Sequence, residues 1–254
     1  MDGRYEPFAA LALNDGFRVA AFEGTFSKDT LRPVAILVIA NALHVSNVDK
    51  WELPTPSAFT SEEIKAVKRW VKNGGRLLLI ADHMPFAGAA ADLVAQFGFR
   101  IANGFAITHD RARTVTMLAP DIFEGESLPP HPILSGRHEA ERISRLATFI
   151  GSAFQSPPRA APLIMLDDRF FSLEPSVAWQ FDSQTLRRPL AGWQQAATLI
   201  YGKGRIAVYG EAAMMSAQIS SDGHKMGFNS PQASENKQFV LNTLHWLAGL
   251  LPPK

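Results

Sequence analysis

The 254-residue chain contains no cysteine. That absence removes disulfides, thiolate metal sites and a cysteine nucleophile together. It leaves the compartment open, because a cysteine-free chain serves in either redox environment. No apolar run approaches the roughly 20 residues needed to cross a bilayer, so no membrane span is expected. An excess of charge is missing too. The formal net charge is +1, which argues against a nucleic-acid groove or a polybasic membrane patch. The HExxH zinc pattern and the G-x-S-x-G nucleophile elbow are both absent. No internal repeat or low-complexity tract is present. The first residues, MDGRYEPF, do not read as a signal peptide. Cytoplasmic residence and export after removal of a signal peptide both fit.

What is present is ordinary globular composition, 46% apolar and 19% charged, expected to form one α/β domain over residues 1–254. YEPFAALALNDGF reads as a short helix stopped by Gly16, and FRVAAF as a strand ending at Glu23. VAILVIA, ending at Asn41, and RLLLIA, ending before Asp82, are continuous aliphatic runs of the kind covered on both faces of a sheet. Between them, FTSEEIKAVKRWVKNGG carries a capping box, Thr60 with Glu63, then Ile64, Val67 and Val71 at helical spacing. A helix from Ala87 to Phe97 and a strand in FGFRIANG follow. This β-α-β-α-β order predicts an open, mostly parallel, flavodoxin-like sheet with helices on both faces. Residues 108–195 are less regular and read as a β-rich insertion, with strands in RISRLATFIG and APLIML. AATLIYGKGRIAVYGEA predicts a hairpin turning at GKG, and SENKQFVLNTLHWLAGLL an amphipathic helix.

Together, EEIKAVKRWVKNGGRLLLIADH, GKGRIAVYGEAAM, ENKQFVLNTLHWLAG and HPILSG resemble the class I glutamine amidotransferase-like superfamily. The likeness is to its uncharacterised bacterial branches, domains of unknown function akin to gliding-motility and ABC-transport-associated proteins. The resemblance spans residues 17–250. It implies the flavodoxin-like sheet but not glutaminase activity: where the family has its elbow cysteine this chain reads IADHMPF, and Glu211 stands where a catalytic histidine is expected.

Ligands of open α/β sheets bind beyond the carboxyl ends of the strands. There the sequence offers Glu23, Asn41, Asp82 with His83, Asn103 and Glu211. Asp82, His83 and Glu211 are the expected catalytic set. The same three are the candidate ligands for a divalent metal ion, or an acid–base group without one. Helix capping by Asp82 is the competing structural role. Asn41, Asn103, Gln218 and Asn229 are expected to contact substrate, the last two from the long polar segment after Glu211. Glu23, His131, His109, His138, His245 and Ser152 are assigned structural roles. The expected function is that of a hydrolase, with or without a metal ion, acting on a small ester, amide or sugar-derived substrate. The alternative is a non-catalytic small-molecule or glycan-binding domain in which Trp51, Trp179 and Trp193 make contacts.

Overall fold

A computed structural model describes residues 3–110, 119–220 and 223–253. Residues 111–118 of the irregular region and 221–222 of the segment after Glu211 lie outside the described residues. The principal sheet contains β1 (Ile36–Ala40), β2 (Arg76–Ile80), β3 (Arg100–Ile101), β7 (Phe154–Gln155), β8 (Ala161–Met165), β11 (Gln194–Tyr201) and β12 (Gly204–Tyr209). A second sheet joins β4 (Phe105–Thr108), β9 (Phe170–Glu174) and β10 (Leu186–Pro189). Two smaller sheets pair β5 (Asp121–Glu124) with β6 (Arg145–Thr148), and β13 (Ala217–Ile219) with β14 (Lys225–Gly227).

The expectation of a mostly parallel, flavodoxin-like sheet is corrected. Among the described residues only the pairs β1–β2 and β2–β12 are parallel. The hairpin that turns at Gly202, φ 61°, lays β11 antiparallel against β12. β8 and β7 then pair antiparallel with β11, and β3 with β7. The irregular middle therefore supplies β7 and β8, two of the seven strands of the principal sheet, and most of the strands of the second sheet and the β5–β6 pair. FRVAAF is a second correction. Phe17 and Val19 lean on the core while Arg18 is exposed, so the alternation is real, but the segment joins no sheet.

β2 shows why its aliphatic run is uninterrupted. Leu78 and Ile80 enter a cluster with Phe239, Val240, Leu244 and Leu247 of α6 (Asn236–Ala248) and with Phe8 and Ala12 of α1 (Glu6–Asn14). Leu77 and Leu79 enter the opposite cluster, with Ile64, Val67 and Val71 of α3 (Ser61–Lys72) and Leu93 and Val94 of α4 (Phe86–Ala95). Alternate residues point to opposite faces of a strand, so a strand covered on both sides must be apolar throughout. Two single-turn helices, α2 (Lys28–Leu31) and α5 (Pro132–Ser135), complete the set. Among the described residues no helix is long and apolar enough to cross a membrane.

Candidate functional site

The parallel trio positions the site. Ala40, Ile80 and Tyr209 are in register across β1, β2 and β12. The ladder runs one step further, with Asn41 N–H donating to Ile80 O (2.9 Å) and Ala81 N–H to Tyr209 O (2.9 Å). Asn41, Asp82 and Glu211 thus leave three neighbouring strands at one rim. The Asn41 side chain takes the Asp82 amide on its Oδ1 at 3.0 Å, from a left-handed backbone with φ 49°.

Glu211 is fully buried. Its Oε1 accepts from Ala213 N–H (2.7 Å) and its Oε2 from Met214 N–H (2.8 Å), and the Phe149 amide adds a third donor. Burial pushes its carboxyl well above the usual range, and the negative charge of Asp82 pushes it the same way. The three amides oppose both effects, because they favour the carboxylate form. The net direction is upward, toward the protonated form of Glu211.

Tyr5, just ahead of α1, belongs to the same group and has no signature in the sequence. Burial raises the affinity of its hydroxyl for its proton. The charges of Asp82 and Glu211 raise it further, and Arg4 opposes them. A tyrosine before a helix gives no sign that tertiary folding will bring it beside two acids distant in sequence.

His83 departs from the expected arrangement. Its ring stacks on Phe105 at 4.5 Å between centroids and meets Trp179 edge-on at 4.7 Å, with Trp51 at 5.8 Å and Phe86 at 5.9 Å. Its Nδ1 is 2.7 Å from Met84 O. Donation to that carbonyl leaves Nε2 as the acceptor. The Asp82–His83–Glu211 metal set is corrected on this geometry: among the described residues no three His, Asp or Glu side chains gather as metal ligands. The imidazole is turned into an aromatic box, and both oxygens of Glu211 are already held by amides.

The other candidates divide. Asn103 braces α4, its Oδ1 accepting from Gly88 N–H (2.9 Å) and its Nδ2 donating to Thr55 Oγ1 (3.0 Å). Gln218 donates to Ser216 Oγ (2.7 Å), and exposed Asn229 lies 3.4 Å from Gln218 O. These two tie the long segment to itself, although its strand β13 does return to the turn at Gly3–Tyr5. Glu23 is exposed and lies outside the strands. His131 caps α5 through its Nδ1 and meets Thr198 Oγ1 at 2.9 Å. Ser152 Oγ donates to Ala81 O (2.8 Å), fastening the exit of β2. A separate cleft of about 510 Å³ includes Glu124, Arg145, Asp167 and Arg169 in its lining; Arg145 pairs there with Glu124 and Arg169 with Asp167.

Trp51 and Trp179 converge although they lie far apart in sequence. Ala178 N–H donates to Trp51 O (2.7 Å) and Leu53 N–H to Ser176 O (2.8 Å), around a bridge between Glu52 and Val177. This zips the loop after β1 to the loop after β9, with His83 beneath.

No family model matches the sequence, and no curated protein is similar to it. Solved structures do resemble it. The mmIFT52 N-terminal domain has 13% identity and a TM-score of 0.61, covering 94% of this chain and 88% of that one. Cytoplasmic protein STM3548 from Salmonella typhimurium has 13% identity and a TM-score of 0.54, over 97% and 87% of the two chains. A ThuA-like protein from Bacteroides uniformis has 12% identity and a TM-score of 0.50, over 95% and 81%. At these identities the likeness is one of fold.

Proposed function

We propose that the chain is a hydrolase acting on a small ester, amide or sugar-derived substrate at the rim formed by Asn41, Asp82, His83 and Glu211. The observation that carries this reading is the carboxyl pair: Asp82 and Glu211 leave adjacent parallel strands at one rim, one half-buried and the other buried with its affinity for a proton raised. Two carboxyls at one rim, one of them held toward its protonated form by burial, are suited to acid–base work. With Nδ1 committed to Met84 O, His83 Nε2 takes a proton from the attacking water. The oxygen of that water bonds to the scissile carbon, the bond to the leaving oxygen or nitrogen breaks, and the proton passes to the leaving group. Asp82 orients water or a substrate hydroxyl through the carboxylate oxygen that does not hold His83 N–H; Oδ1 does so at 2.8 Å. Asn41 holds the Asp82 amide, and Glu211, its oxygens taken by the Ala213 and Met214 amides, stays out of contact with substrate. The reading keeps the amidotransferase-like kinship as a proposal about ancestry and takes no activity from it.

The test is turnover of an ester, amide and glycoside panel, with and without added divalent ions. Asp82→Asn and His83→Asn should each reduce kcat by about 100-fold or more. His83→Asn retains a donor for Met84 O and lacks Nε2. Unchanged turnover in both variants ends the acid–base reading. A second reading has its own support: both oxygens of Glu211 are taken by amides, as in a structural staple. A binding domain of this kind would be stabilised in thermal melts by a panel compound that no preparation turns over.

A further inference from the structure

We propose that the exposed indole of Trp179, backed by His83 and Phe105, is a stacking subsite for the ring of a neutral, polyhydroxylated substrate whose hydroxyls reach Asp82. The inference rests on the hydrolytic reading of the rim and narrows its substrate to the sugar-derived class. Four features support it. Trp179 is 41% exposed, yet its ring is not loose: it lies 4.7 Å from His83 and 4.6 Å from Phe105. Its loop is fastened by the Ala178–Trp51 and Leu53–Ser176 hydrogen bonds. A large indole presented to solvent on a fixed backing offers contact area at little further entropic cost. Its backbone is left-handed, φ 67°, an unfavourable conformation for a bulky side chain that persists where surroundings enforce it and that clusters at ligand-binding positions. The third feature is continuity with the polar rim, since the ring that Trp179 touches belongs to His83, next to Asp82. The fourth is charge. Glu211 is driven toward its neutral form, and Arg4 acts on Tyr5 against the charges of the acids. Among the described residues the rim gathers no set of side chains able to hold a metal ion. Aromatic faces with a few convergent polar groups suit a molecule with an apolar ring face and hydroxyl edges.

The test is a titration of the full chain with methyl glucopyranoside, methyl galactopyranoside and methyl mannopyranoside, read by tryptophan fluorescence and by saturation-transfer NMR. Tetramethylammonium and benzyl alcohol serve as the cationic and plain aromatic probes. At least one pyranoside should bind, and Trp179→Ala should weaken it roughly three- to tenfold. Trp179→Phe should retain most of the affinity, and a melting temperature close to that of the parent shows that the fold survives. The proposal is overturned if no pyranoside binds, if Trp179→Ala and Trp179→Phe bind as the parent does, or if tetramethylammonium or benzyl alcohol binds through Trp179 in preference to every pyranoside. Asp82→Asn separates the two readings. Trp179-dependent binding of a pyranoside, together with glycoside turnover indifferent to Asp82→Asn, keeps the subsite and removes the hydrolytic mechanism.

Discussion

Asn41 combines two roles that substitution can separate. Its side chain fixes the Asp82 amide, and its backbone holds φ 49°. Asn41→Gly and Asn41→Ala both lose the hydrogen bond, but glycine adopts the left-handed region freely while alanine carries a cost of about 1 kcal/mol there. In urea denaturation Asn41→Ala should therefore be less stable than Asn41→Gly by about that amount. Equal stability would mean that the backbone relaxes out of the left-handed region. The same scale shows why the site was only half legible. Asp82 and Glu211 could be paired from the ends of two aliphatic runs. His83 is adjacent to Asp82 in sequence, but its ring partners Phe105, in β4, and Trp179, in the loop after β9, are remote in sequence and cannot be read from it.

The element most legible in the sequence is α3. Thr60 Oγ1 accepts from Glu63 N–H (3.2 Å) while Glu63 Oε2 accepts from Thr60 N–H (3.0 Å), the reciprocal box that Thr-x-x-Glu announces. Glu63 does more than the motif requires. Its Oε1 also takes the amide of Phe26 (3.1 Å), tying the chain ahead of α2 to the start of α3. Thr60→Ala should cost about 1 kcal/mol in chemical denaturation. Glu63→Ala should cost more, because it frees two backbone donors, the amides of Thr60 and Phe26, where Thr60→Ala frees one; an equal or smaller loss would remove the Phe26 link from the account. Capping is local and so is read from neighbours in sequence. Strand direction is not. FRVAAF has the alternation of a strand and packs Phe17 and Val19 inward, but a strand needs an edge to pair with, and sequence periodicity does not supply one. In the same way, the apolar runs of β11 and β12 do not reveal how many later antiparallel strands will join them.

Across the whole molecule, two buried carboxyls limit stability from opposite sides of the pH scale. The Arg137 guanidinium bonded to Glu141, aided by the Arg137 amide, holds the Glu141 carboxyl at about 2 against an ordinary 4.5. A lowered value in the folded state means a contribution present above pH 4.5 and lost as pH falls toward about 2. Glu211 is shifted upward, so the sign reverses: its contribution is full below pH 4.5 and is lost as pH rises through its folded-state value. Glu141→Gln should flatten the acid limb of a stability–pH curve, and Glu211→Gln the limb on the other side. An acid limb that Glu141→Gln leaves unaltered would assign acid unfolding to other groups. The parallel pairing of β2 with β12 sets Arg76 opposite Arg205, and this has a consequence for the order of events during synthesis. Until β12 emerges, the inner edge of β2 is a bare row of amides and carbonyls flanked by leucines, the kind of edge that invites pairing with another chain. The segments that shape the rim up to Asp82 are made early but cannot assemble it, because Glu211 and the strand that carries it arrive near the end. Folding should accordingly be slow for a chain of this size, and a nascent chain stalled before Gly204 should aggregate instead of binding.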